Sequence, residues 1–339
     1  MKQINSHILR TYIAPERLTL GYAILTSLLT LILWPWLDRP GYMLLQRAAI
    51  IGLIFVVHEL WLRYPQRPFR LLRTLIPLAL LTYWYPDTFQ FCSVFGNLDH
   101  VFAQAEQTLF GCQPAVVFPQ KVTSTFWSEA FHLGYFSYFP LILTVCLLSL
   151  NQTPTHGLDH WTPENLSERP VNRFEWVSGV VLAAFFLYYI IFLFLPVAGP
   201  QFYFQAIGPE AVATGHFPAI GYYFRSHVEL TGDVNQLPAG FFQMLVDWAH
   251  KAGERPTAAF PSSHVGVGTI VLWFFFRLRR TWGLAVLPLW LLLCVSTVYL
   301  QAHYLIDALV GLLTAPVFLV VARWLTNHCT PQPIDQPQN

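Results

Sequence analysis

Long apolar runs dominate this chain, at roughly 18 to 36, 43 to 61, 71 to 86, 126 to 150, 174 to 197, 262 to 278, 282 to 300 and 306 to 327. Each is long enough, or nearly so, to cross a hydrocarbon core of about 30 Å. The pattern predicts an all-α fold, a polytopic transmembrane bundle of about six to eight spans. The third run is short and ends in Tyr83-Trp84-Tyr85-Pro86, an aromatic interface signature followed by a helix breaker, so it reads as a tilted, partial or re-entrant span.

Cations sort between the connections as the positive-inside rule requires. Lys2, Arg10 and Arg17 precede the first run, Arg63, Arg67, Arg70 and Arg73 follow the second, and Arg169 and Arg173 follow the fourth. Arg277, Arg279 and Arg280 follow the sixth, and Arg323 closes the last. Both termini are therefore expected in the cytoplasm. The loops 37 to 42, 87 to 125 and 198 to 261 and the tight turn 301 to 305 then lie outside. The long one carries Arg225, Lys251 and Arg255, but long loops cross largely regardless of charge. The stretch from Asp99 to Glu106 is too polar to span and reads as an interfacial helix.

Composition supports a membrane domain: of 339 residues, 55% are hydrophobic and 11% charged, well below the roughly 25% charged share of a soluble domain. A net charge of +1 gives no electrostatic case for nucleic acid. The first run lacks a small-residue cleavage site and reads as a retained span. Cys92, Cys112, Cys146, Cys294 and Cys329 show no metal-ligand spacing, and neither a metal nor another cofactor is expected. Cys92 and Cys112 share one outer loop, as a disulfide or as two thiols.

Candidate chemistry sits at two places. Phe260-Pro261-Ser262-Ser263-His264 opens the sixth span, where Pro261 suits a first helical turn and the free N–H groups and Ser hydroxyls make an anion-binding end. Ser296-Thr297 and His303-Tyr304-Leu305-Ile306-Asp307 lie where the seventh span passes into the eighth. One transmembrane hairpin returns both segments to the same face. His303 and Asp307 are one helical turn apart, so the carboxylate is placed to accept a hydrogen bond from one ring nitrogen and leave the other free as a nucleophile. His264 then stands as general acid for the departing alkoxide. Phosphoryl transfer needs mainly positioning and charge stabilisation, which N–H groups, Ser263 and nearby cations supply without a metal.

Pro-Ser-Ser-His followed, one hairpin later, by Ser-x6-His-x3-Asp resembles the second and third signature motifs of the type 2 phosphatidic acid phosphatase superfamily. The resemblance implies that His303 forms a phosphohistidine, Asp307 orients it and His264 is the acid. It also implies a catalytic core of that type over 126–327, preceded by N-terminal transmembrane helices over 1–90 and an outer interfacial segment over 91–125. A cytoplasmic tail, 328–339, follows. Where the family usually has Arg after the third-motif Ser, this chain has Thr297. The segment is closer to the inositol phosphorylceramide synthase branch, as, more loosely, are Phe110-Gly111-Cys112-Gln113-Pro114 and Leu195-Pro196-Val197-Ala198-Gly199-Pro200. A diester carries one charge where a monoester carries close to two, so losing an Arg costs a diester enzyme less. The expected partners are phosphatidylinositol and a ceramide-type acceptor. Lys251 and Arg255-Pro256 form a compressed version of the first family motif; if the segment is helical up to Arg255, both cations reach one phosphate. Expected substrate contacts are thus Lys251, Arg255, Ser262, Ser263, Ser296 and Thr297.

Other polar residues have plainer explanations. Trp127, Glu129, His132, Tyr135 and Tyr138 recur at helical spacing and read as an aromatic belt with helix packing, a headgroup pocket being the alternative. His58 and Glu59 read as interfacial residues. His216, His227, His250, Asp233 and Asp247 read as a solvated or lid-forming loop. The rival functions are a lipid phosphate phosphatase, in which water resolves the phosphohistidine, and a transporter or scaffold. A transporter should instead show charge at the bilayer midplane.

Overall fold

Proline punctuates this chain, because a residue without an N–H costs nothing in a first helical turn. It stands at the start of α1 (Ala14–Ile32), α2 (Pro40–Arg63) and α3 (Arg67–Ala79), and again of α6 (Pro114–Lys121), α10 (Pro200–Ile207) and α11 (Pro209–Thr214). The computed structural model describes residues 11–150, 170–229 and 240–330, and among these every regular element is a helix. The remaining helices are α4 (Leu81–Cys92), α5 (Asp99–Phe110), α7 (Thr125–Phe136), α8 (Tyr138–Leu148), α9 (Pro170–Phe194), α12 (Phe241–Gly253), α13 (Ser263–Leu278), α14 (Arg280–Tyr299) and α15 (Leu305–Cys329). Lys2, Arg10, Arg169, Asp233 and the tail beyond 330 lie outside the described residues.

Among the described residues four helices, α2, α9, α14 and α15, are long and apolar enough to cross a bilayer, and the pair α7 and α8, bent by 46°, makes a fifth if taken as one span. The protein is a polytopic helical membrane bundle with fewer qualifying spans than the apolar runs predict. The 16 residues of α13 fall short of the roughly 20 a span requires. The run from 71 to 86 is divided between α3 and α4, whose Pro77 and Pro86 each remove a helix donor. Its aromatic end is no interface belt: Trp84 is fully buried, packed edge-on against Tyr22.

The core forms around α9, which is apolar on every side and buried on nearly all of them, as a helix without a polar face must be. Phe174, Val177, Val181, Phe185 and Phe192 of α9 meet Val271, Phe274 and Phe275 of α13 and Ala315 and Ala322 of α15. The other face of α15 turns Leu309, Leu313, Val317 and Val320 outward instead, the surface lipid requires. Small residues set the closest approach: a Cβ at Gly311 of α15 would strike the Ser262 carbonyl, so α15 lies directly against the start of α13.

Two buried arginines inside the bundle are paired with acids. Arg47 and Asp87 meet at 2.6 Å, and Arg73 grips Glu16 through Nε and Nη2, both at 2.6 Å. His58, read from sequence as interfacial, is fully buried; it stacks on Tyr12 at 3.7 Å and hydrogen-bonds Thr11 and Arg73. Arg73 on Nδ1 and Thr11 on Nε2 are the physical reason, since together they satisfy a ring that water would otherwise have to solvate. Following the helices from end to end, Arg17, Arg70, Arg73, Arg173, Arg277, Arg279, Arg280 and Arg323 collect at one end. Residues 264 and 303 occupy the other.

Candidate active site

At the end away from the arginines, the chain passes from α14 to α15 through Leu300–Tyr304. Gln301, in the left-handed region at φ 59°, reverses it. Two other segments and the end of α14 hold this turn. The Gln301 carbonyl accepts from Gln201 N at 2.9 Å, its side chain donates to the Ala115 carbonyl at 3.0 Å, and His303 N donates to the Thr297 carbonyl at 3.0 Å. Gly199, at φ 94°, lies so close to the turn that a Cβ there would stand 2.7 Å from the Ala302 oxygen. The approach therefore requires glycine twice over, for its backbone angle and for its missing side chain.

His303 is buried against this scaffold, with Nδ1 2.7 Å from the Ala259 carbonyl. A carbonyl only accepts, so Nδ1 carries the proton and Nε2 carries the lone pair. That lone pair faces Nδ1 of His264 at 3.2 Å, which makes His264 Nδ1 the donor. Burial pushes the His303 imidazole down to about 4, outweighing the opposing pull of the Ala259 hydrogen bond and the Glu254 charge. The two rings expected to share a site thus do so, from the first turn of α13 and the turn before α15.

Asp307 does something other than the spacing predicts. Its Oδ2 lies 3.8 Å from His303 Nδ1, beyond hydrogen-bonding range, and accepts instead from Tyr304 N at 2.8 Å. It caps α15 from inside the first turn, and the backbone carbonyl of Ala259 orients the histidine in its place. The two motifs are tied directly as well: Ser262 N donates to the Asp307 carbonyl at 3.0 Å.

The predicted phosphate contacts are dispersed. Ser262 is the N-cap of α13, its hydroxyl accepting from Val265 N at 3.4 Å. Pro261 precedes this cap instead of entering the helix. Ser263 is buried beside His264. Ser296 and Thr297 are fully buried and donate back to the Leu293 and Cys294 carbonyls, so neither hydroxyl proton points to the rings. Helix α12 ends at Gly253 and Glu254 is extended; Lys251 and Arg255 therefore do not share a helical face, and both are exposed. Cys92 and Cys112 are free thiols, Cys92 buried with Sγ 3.1 Å from Thr257 Oγ1.

Several groups around the rings escape the sequence reading. Tyr135 stacks on His264 at 4.7 Å and Tyr138 lies 4.4 Å from it, with the Tyr138 hydroxyl on the Ser263 carbonyl at 3.1 Å. Tyr135 and Tyr138 of the predicted belt are thus a wall of the two rings, as the alternative reading had it, while Trp127, Glu129 and His132 face elsewhere. Glu254 turns inward to receive Tyr85 at 3.4 Å and Gln201 at 3.1 Å. Helix α5, expected to be interfacial, buries two acids from one face. Asp99 accepts from Ala198 N, Gly199 N, Asn97 and Tyr304, at 2.7, 2.8, 2.5 and 3.1 Å. Glu106 accepts from Ile306 N at 3.0 Å at the start of α15. Burial pushes Asp99 up to about 6 and Glu106 up to about 7. The signal was available in Asp99, Ala103 and Glu106, which fall on one helical face.

Two imidazoles thus face each other behind a tightly braced turn at one end of the bundle. Residues 166–321 match the family model of the PAP2 superfamily, a superfamily of phosphatases and phosphotransferases. The match supports an enzyme of that kind. It takes in His264, His303 and Asp307 and leaves out Asp99, Glu106, Tyr135 and Tyr138. Comparisons with curated proteins and with solved structures gave no match.

Proposed function

We propose that this chain is a membrane phosphotransferase that moves the inositol phosphate headgroup of phosphatidylinositol to a ceramide-type alcohol, with His303 as the carrier. The observation that carries this reading is the His303 ring itself, fixed through Nδ1 on Ala259 with Nε2 directed at His264. In the first step Nε2 forms a bond to phosphorus and the bond from phosphorus to the diacylglycerol oxygen breaks. Burial and the facing His303 hold the free His264 imidazole well below the ordinary histidine value; the arriving anion offsets this, and the doubly protonated ring gives its Nδ1 proton to that oxygen. In the second step the acceptor hydroxyl loses its proton to His264 Nδ1, its oxygen bonds to phosphorus, and the bond to His303 breaks.

An in-line displacement puts nucleophile and leaving oxygen on opposite sides of phosphorus, so the phosphoryl group takes the place of the bond between the rings. His264, the less buried of the two and held on Tyr135 and Tyr138 by ring contacts, is the ring that gives way. His303, anchored at Nδ1, stays. The diester preference is supported by Thr297, buried where the family usually carries Arg, and by Lys251 and Arg255 standing exposed. Collection of arginines at the opposite end supports a site on the periplasmic or lumenal side with cytoplasmic termini.

The test is product analysis by mass, with purified protein given phosphatidylinositol with and without ceramide, and phosphatidic acid in parallel. A new inositol phosphate sphingolipid is expected, and it should vanish with His303→Ala. Release of inorganic phosphate from phosphatidic acid, with phosphatidylinositol left intact, would replace the transferase reading by the phosphatase. His264→Ala should lower turnover by about 10²- to 10⁴-fold, the range for losing a general acid.

A further inference from the structure

Helix α12 does not look like part of a solvated loop. At about 100° per residue its 13 positions bring Phe241, Met244 and Trp248 onto one strip about 60° wide. These side chains are 61%, 58% and 72% exposed. Asp247 and Lys251, also exposed, border one edge of the strip, while Gln243 and Val246 are buried on the opposite face. Single exposed apolar side chains are ordinary on a protein surface, but three in register with a charged border are the pattern of a helix lying at a lipid interface.

The helix is fixed at its start to α7. The Glu129 carboxylate of α7 accepts from Phe242 N at 2.9 Å and from Gln243 N at 3.1 Å, and a Cβ at Gly240 would collide with it. Beside Glu129, at the opening of the bent pair α7–α8, Phe126 and Trp127 are 70% and 47% exposed. The strip on α12 thus continues the exposed apolar surface of that pair. Towards its other end, His250 meets the Tyr135 ring edge-on at 5.6 Å, and Tyr135 stacks on His264.

We propose that α12 is an interfacial helix whose Phe241, Met244 and Trp248 strip is immersed in the bilayer at the histidine end, and that the lipid headgroup reaches His264 from that leaflet between α12 and α7, past His250 and Tyr135. The route rests on the function proposed above; the immersion does not.

Nitroxide labels on Met244→Cys, Trp248→Cys and Asp247→Cys test the immersion, in protein whose partly exposed Cys112, Cys294 and Cys329 are changed to Ser, reconstituted into phosphatidylcholine and phosphatidylinositol nanodiscs. Labels at 244 and 248 are expected to collide more with oxygen than with a water-soluble nickel chelate, and the label at 247 to show the reverse. Equal access of the chelate to all three overturns the immersion. A second measurement needs no cysteine change: phosphatidylcholine with a diazirine in its acyl chain should mark residues 241 to 248 of the unmodified protein. Marking of α14 and α15 that spares α12 overturns it equally. For the route, phosphatidylinositol with a photoreactive headgroup should mark Tyr135 or His250. Turnover of that analogue without such marking overturns the route and leaves the function standing. No turnover of phosphatidylinositol or phosphatidic acid overturns the function, while the depth of residue 244 still decides the immersion.

Discussion

At the scale of single residues the site depends on one tautomer. The Ala259 carbonyl forces the proton of His303 onto Nδ1, and burial holds the imidazole at about 4. In the proposed transfer the nucleophile is the uncharged ring, so its working form is complete above that value and is lost as pH falls through it. The acid limb of the rate against pH, set by kcat/KM, is therefore expected near pH 4 and not near the ordinary histidine value of about 6.5; a limb near 6.5 would place the ring in water. Gly199 offers a second check. Alanine there would need φ 94° and a Cβ 2.7 Å from the Ala302 oxygen. Gly199→Ala should thus displace the turn bearing His303 and lower kcat at least about tenfold, since misplacements of about 1 Å cost up to about 10². Equal kcat in the purified variant would show that the approach is idle. The histidines were legible because motif and hairpin are written in side chains. The orienting acceptor of His303 was not, because it is a backbone carbonyl, and the i, i+4 spacing pointed to Asp307, whose oxygen is taken by the Tyr304 amide.

Between elements, the acids of α5 brace the catalytic segments from outside the stretch that matches the PAP2 superfamily. Asp99 gathers two amides of the 196–199 loop and the Tyr304 hydroxyl, while Glu106 receives the amide of Ile306. Glu106 has its proton held to about 7 by burial, above the ordinary 4.5. A value raised by folding gives stability that is complete below the unfolded value and is lost as pH rises through the folded one. Between pH 5 and 8 the protein should lose on the order of 2 kcal/mol from this group. Glu106→Gln, which keeps an acceptor for Ile306 N, should remove that slope. Unfolding in mild detergent across the pH range measures it, and equal slopes in both proteins would move the proton elsewhere. Sequence reading found the helix but not its orientation. A polar segment between apolar runs reads as solvent-facing until the i, i+4 and i+7 positions are seen to share a buried face.

Across the whole molecule, the two ends of the bundle are specialised, and they can be uncoupled by experiment. The apolar runs predicted a membrane bundle correctly, yet runs alone could not tell a span from a buried helix of 16 residues or from a pair broken near proline, because hydropathy reports environment and not length of crossing. Nor does hydropathy show that arginines of the clusters between the apolar runs are also structural. Arg73 lies fully buried with both terminal contacts on Glu16, and His58 closes the group. Removing one partner of such a pair leaves a buried charge uncompensated, at a cost of about 3–5 kcal/mol. Glu16→Gln should therefore lower the unfolding midpoint sharply in detergent. Because the group stands at the end away from His264 and His303, the molecules that remain folded should keep the wild-type KM and kcat. A variant that loses turnover while its midpoint stays unchanged would mean that the two ends communicate, and that this buried pair belongs to the working parts of the enzyme.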